Sequence, residues 1–148
     1  LQHDVRAHFG WSYQADQQSA SMLRSACNQH PQAEASGWTP AARTQTLERI
    51  HDALMQARHI VLVGAGVTEN DIEQPWEEGT VFVAADGAVG ACLGRVDVVC
   101  VVTDLDGEPH LSKAVESNIP LVVHAHGDNT ATWRTSILWV FIPAIPSS

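Results

Sequence analysis

The sequence predicts an α/β fold: a parallel sheet with flanking helices, preceded by an N-terminal helical segment. Two observations carry this. Short β-branched or apolar runs recur at Ile60–Val63, Thr80–Ala84, Val98–Val102 and Leu121–Val123, and the nearly unbroken Val98–Val102 run suits a parallel strand buried on both faces. Stretches with helical spacing separate these runs, and strands alternating with helices give a layered, Rossmann-like αβα arrangement.

Taken in order, Val5–Asn28 reads as helix in two pieces, broken near Gly10 and Trp11, with Ala20, Leu23 and Cys27 on one face of the second. Residues 29–39 (QHPQAEASGWT) contain Pro31 and Gly37, show no periodicity and read as a linker. Thr39 then caps a helix with Pro40 at its first position. Leu47, Ile50, Leu54 and Ala57 form an apolar stripe along it.

The sheet begins at His59. Its first strand runs into Gly64-Ala65-Gly66, and the acidic stretch Thr68–Trp76, interrupted by Pro75, has room for one helical turn. The second strand ends in Ala85-Asp86-Gly87-Ala88, and Ala88–Leu93 makes a short helix stopped by Gly94. The third strand ends in Thr103-Asp104-Leu105-Asp106-Gly107. A helix over Glu108–Ser117 follows, with Pro109 near its start and Leu111, Ala114 and Val115 on one face. The fourth strand ends in His124-Ala125-His126-Gly127-Asp128-Asn129. The expected organisation is a helical segment over residues 1–58, an α/β core over 59–129 and an atypical tail over 130–148.

Composition narrows the function classes. The 148 residues carry a net charge of −9 with one lysine, Lys113, so no basic face is on offer to nucleic acid or to an anionic membrane. Cys27, Cys92 and Cys100 form no CxxC pair, which points to a reduced, cytoplasmic protein. Leu1–Gly10 is polar and reads as no signal peptide. The apolar run Ile137–Ile142 is too short to span a bilayer but offers a surface for self-association into a homo-oligomer. Neither a GxSxG nor a P-loop lysine motif is present.

Three motifs carry candidate chemistry. Gly64-Ala65-Gly66 lacks the third glycine of a dinucleotide fingerprint, because Glu69 stands in its place. It remains open between a turn whose N–H groups meet a phosphate and a purely structural turn. Asp86, Asp104 and Asp106 each follow a strand and are expected to converge. Gathered carboxylates repel, and Mg²⁺ with phosphate oxygens would relieve the repulsion. The competing reading makes Asp86-Gly87 and Asp106-Gly107 simple turn formers. His124 and His126, with Asp128, also have the makings of a zinc site. Polar contact of His126, Asp128 and Asn129 with substrate or phosphate is the preferred reading. The remaining histidines, His110 among them, default to the surface.

Together VGAG (63–66), ADGA (85–88), VVTDLDG (101–107) and HAHGDN (124–129) resemble the archaeal 6-hydroxymethyl-7,8-dihydropterin pyrophosphokinase family. That family is similar to the catalytic domain of thiamine pyrophosphokinase. FGWSYQAD (9–16) also resembles the family's opening segment, so the likeness runs from Phe9 to Asn129. Two departures stand out. Val67-Thr68-Glu69 replaces the Pro-Ser-Leu that usually follows the VGAG turn, and Thr130–Ser148 resembles none of the further sheet and helices of family members. The latter reads as a fragment, or a change of reading frame near Asn129, leaving the core incomplete relative to the family.

The resemblance implies Mg²⁺-dependent transfer of diphosphate from ATP to the dihydropterin, with release of AMP, in tetrahydromethanopterin or folate-type cofactor synthesis. It implies metal binding by Asp104 and Asp106, with Asp86 as a further catalytic or nucleotide-positioning carboxylate. Gly64, Ala65, Gly66, Asp86, Gly87, Thr103, His126, Asp128 and Asn129 would contact nucleotide or substrate. The rival readings are a thiamine pyrophosphokinase-like enzyme, a non-catalytic nucleotide-binding or interaction module, and a related domain of a sugar-transfer or flagellin-modification protein.

Overall fold

The structure, a computed structural model, describes residues 1–29 and 38–126. Most of the expected linker, Asp128, Asn129 and the tail with its apolar run Ile137–Ile142 lie outside the described residues.

The N-terminal helix does break where the sequence suggests. Helix α1 spans Gln2–Phe9 and α2 spans Tyr13–Gln29. Gly10 closes α1 at φ 67°, a left-handed conformation that a side chain would strain. The Ser12 hydroxyl accepts the Ala15 N–H at 3.1 Å at the start of α2, and Arg6 pairs with Asp16 across the break. Helix α3, Pro40–Gln56, starts as expected, with the Thr39 hydroxyl accepting the Ala42 N–H at 3.2 Å.

Four strands, β1 His59–Val63, β2 Thr80–Ala85, β3 Val98–Thr103 and β4 Leu121–Val123, form a parallel sheet in the order β1-β2-β3-β4. Every crossover steps the same way. Right-handed connections therefore put all the linking helices on one face: α4 Glu69–Ile72, α5 Val89–Cys92 and α6 His110–Glu116. Their buried Ile72, Val89, Cys92, Leu111 and Ala114 pack with Val63, Phe82 and Val101 in the main core. Helix α3 covers the opposite face, where Ile50 meets Val99 and Cys100.

The register explains the burial along β3. Phe82 pairs with Val98 but Val83 with Cys100, so Val99 is an extra, bulged residue. Val98 and Val101 then face the main core, while Val99 and Cys100 both face α3. Burial on both faces holds as far as Val101. It fails at Val102, which is 42% exposed on the α3 side. The α3 stripe needs a similar correction: Leu47 is exposed, because it looks into a groove of about 680 Å³ between α2, α3 and β4 rather than onto the sheet. Ala57 lies just past the helix end.

Candidate functional site

Strand register brings the candidate residues to one edge. Val63 is level with Ala84, Ala85 with Val102, and Thr103 with Val123. The next residues in each chain, Gly64, Asp86, Asp104 and His124, therefore sit along the carboxyl ends of the strands, where open α/β sheets bind ligands.

Asp86 opens a 3₁₀ turn, Asp86–Ala88, that leads directly into α5. Its carboxylate Oδ1 accepts the backbone N–H of Asp104 at 3.1 Å, which ties the end of β2 to the end of β3. The loop after β3 is held by two short-range bonds of the same type. The Thr103 hydroxyl accepts the Leu105 N–H at 2.8 Å, and Asp104 Oδ1 accepts the Asp106 N–H at 3.2 Å. Leu105 has φ 73°, a conformation costing about 1–3 kcal/mol outside glycine. Its side chain is only 2% exposed, so core packing holds the strained loop in place.

Both Asp-Gly pairs lie in turn or loop segments, as the turn-former reading expects, but their glycines are not the left-handed residues. Positive φ falls on Asp86 (47°) and Leu105 (73°), whereas Gly87 and Gly107 have none. Close approach is what Gly107 supplies. A Cβ there would lie 2.6 Å from the Gly87 nitrogen and 2.9 Å from the Asp86 carbonyl carbon. Asp-Gly pairing thus marks a seam between two loops.

His126 Nε2 lies 3.6 Å from Asp104 Oδ2, with both side chains partly exposed. The His124 and His126 rings stand side by side, centroids 5.5 Å apart. Asp86 and Asp104 are thereby brought together with His126. Asp106 is exposed on the loop beyond and joins them through its amide. Among the described residues no three His, Cys, Asp or Glu side chains are grouped to hold a metal ion. Two neighbouring carboxylates do suit Mg²⁺, which takes one or two protein oxygens and leaves the rest of its shell to water and phosphate. Asp128, the third ligand of the zinc reading, lies outside the described residues.

The Gly64–Gly66 turn is open to solvent, and Gly66 needs its glycine for φ 89°. Glu69 has an assignment of its own: with Glu73 it brackets Arg95, whose Nε donates to Glu73 at 3.0 Å. These bonds hold Arg95 protonated and commit that cation to α4. Thr68 and Asp71 form a reciprocal capping box on α4. Hydrogen bonds from the Thr68 hydroxyl, then its N–H, hold the Asp71 carboxyl below the usual carboxylate range. All three cysteines are free, and burial raises each thiol above its ordinary value.

One residue at this edge has no signal in the sequence. His110, expected on the surface, is half-buried against Gly87 and Gly90. Nothing at positions near 110 announces a partner some twenty residues earlier.

No family model matches the chain, and no solved structure does. A curated relative does. The 6-hydroxymethyl-7,8-dihydropterin pyrophosphokinase of Pyrococcus furiosus is 35% identical over 83 residues. The match covers 55% of this chain and 36% of that protein, so the chain spans little more than a third of its relative's length. The likeness is partial and distant, and it is to a pyrophosphokinase. No helix among the described residues is long and apolar enough to cross a membrane.

Proposed function

We propose that the Asp86–Asp104–His126 edge is the nucleotide site of a pterin pyrophosphokinase, moving diphosphate from ATP to 6-hydroxymethyl-7,8-dihydropterin. The observation that carries this is the bond from the Asp104 amide to Asp86 Oδ1, which fixes the Asp86 carboxylate on the neighbouring strand end, at Asp104. The partial likeness to a pyrophosphokinase supports the same reading.

In this reaction the substrate hydroxyl oxygen attacks the β-phosphorus of ATP. The bond from that phosphorus to the α–β bridging oxygen breaks, AMP leaves, and the hydroxyl proton passes to solvent. Bound Mg²⁺ would supply neutralisation of phosphate charge. Asp104 and Asp86 would hold the ion, with the exposed Asp106 nearby on the same loop as Asp104. His126, beside Asp104, donates to a phosphate oxygen. The Gly64–Gly66 turn offers backbone N–H groups from the neighbouring strand. The loose transition state expected of phosphoryl transfer makes positioning the main task, so a strong general base is not required.

A second reading, a nucleotide-binding module without turnover, is favoured by one feature. Two cavities among the described residues, one beside α4 and one between α2, α3 and β4, are lined by none of Asp86, Asp104 and Asp106. Incubation with ATP, Mg²⁺ and the dihydropterin separates the readings. AMP formed only when the pterin is present supports the enzyme. ATP binding without AMP supports the module, and AMP formed with thiamine instead transfers the assignment to a thiamine pyrophosphokinase. ADP as product contradicts all three.

A further inference from the structure

We infer that His110 is a positioning residue, a ring wedged against the Gly87–Gly90 segment that keeps the Asp86 carboxylate on the Asp104 amide. The wedge follows from where α6 begins. The His110 N–H donates to the Gly107 carbonyl at 3.1 Å, which anchors the first turn of the helix on the loop after β3. A side chain at a helix start leans back over the preceding turn. Here that direction carries the imidazole onto the segment that opens with Asp86.

Two glycines receive it. A Cβ at Gly90 would lie 2.5 Å from His110 Nδ1, and one at Gly87 would lie 3.7 Å from His110 Cδ2. Positions 87 and 90 are three apart and share a face of the 3₁₀ turn and α5. That face meets the ring, and Gly107 meets the Gly87 nitrogen at the same seam. Asp86, at φ 47°, sits at the head of the clamped segment. A residue in that conformation persists only where its surroundings over-determine it, and the ring and Gly107 provide the constraint from below. With the ring gone, the 86–90 segment is free to settle toward α6 and draw the carboxylate off the Asp104 amide.

The test reads the amide directly, by hydrogen exchange of the full chain. In His110→Ala, exchange at Asp104 is expected to rise about tenfold, the factor that one hydrogen bond to a charged group is worth, while the Val101 amide in mid-strand is unchanged. Asn places its two amide atoms where Nδ1 and Cδ2 stand, so His110→Asn should restore protection. Gly90→Ala, whose methyl displaces the ring, should reproduce His110→Ala. Unchanged Asp104 exchange in both alanine variants overturns the inference. So does a parallel rise at Val101, which would signal general loosening, or a failure of Asn to restore protection. The consequence for nucleotide binding rests on the function proposed above. A wild-type protein that binds no MgATP removes that function, and the exchange result still decides the role of His110.

Discussion

The backbone amide of Asp104 is capped by the carboxylate of Asp86, 3.1 Å away and 18 residues earlier in the chain. A side chain at the end of one strand thereby fixes the backbone at the end of the next. Charge-assisted bonds of this kind are among the stronger ones a protein makes. Asp86→Ala removes the acceptor and is expected to destabilise the fold by about 1–3 kcal/mol. Asp86→Asn keeps an oxygen acceptor and the tolerance for a left-handed backbone but loses the charge, so its loss should be smaller than that of Asp86→Ala. Urea unfolding of both variants checks the pair, and equal losses would contradict the cap.

Gly107 has no room for a side chain, because the atoms it would meet are backbone. Gly107→Ala should cost about 1–3 kcal/mol through overpacking, with Asp86 and Asp104 displaced together. Thermal unfolding measures the cost.

Leu111 is fully buried where α6 meets the main core. Leu111→Ala is expected to cost about 2–5 kcal/mol, the usual range for a truncated core leucine. The α6 face is what holds the loop between β3 and the helix, so amide resonances of Asp104–Gly107 should shift in the same variant.

Asp71 provides a pH signature away from the candidate site. Its folded pKa lies below the ordinary value of 3.8, set first by the Thr68 hydroxyl. A lowered carboxylate pKa contributes stability that is complete above the unfolded value and lost as pH falls through the folded one. The capping box therefore weakens only below about pH 3.8. Thr68→Ala should raise the Asp71 titration midpoint, followed by the side-chain carbonyl resonance, and remove this acid-dependent component.

Much of the scaffold was legible in local pattern. Thr39-Pro40 announced α3, the Val98–Val102 run announced a strand that is covered as far as Val101, and strand ends located Asp86 and Asp104 at one edge. Features made by contact between distant segments were not legible. The bulge at Val99 depends on pairing with β2, and the left-handed Leu105 depends on a core pocket for its side chain. His110 depends on two glycines in another element. Leu47 carried the correct helical spacing, yet it lines an open groove between α2, α3 and β4 and stays exposed. Asp128 and Asn129 lie outside the described residues.

The most direct measurement of the central claim is an NMR titration of the chain with MgATP. Shifts are expected at Gly64–Gly66, Asp86–Gly87, Thr103–Asp106 and His126, and their loss in Asp104→Asn. Shifts at Trp38, Arg43 and Ile119–Val123 instead would move the ligand to the groove between α2, α3 and β4. That result, or no shift at all, would contradict the claim.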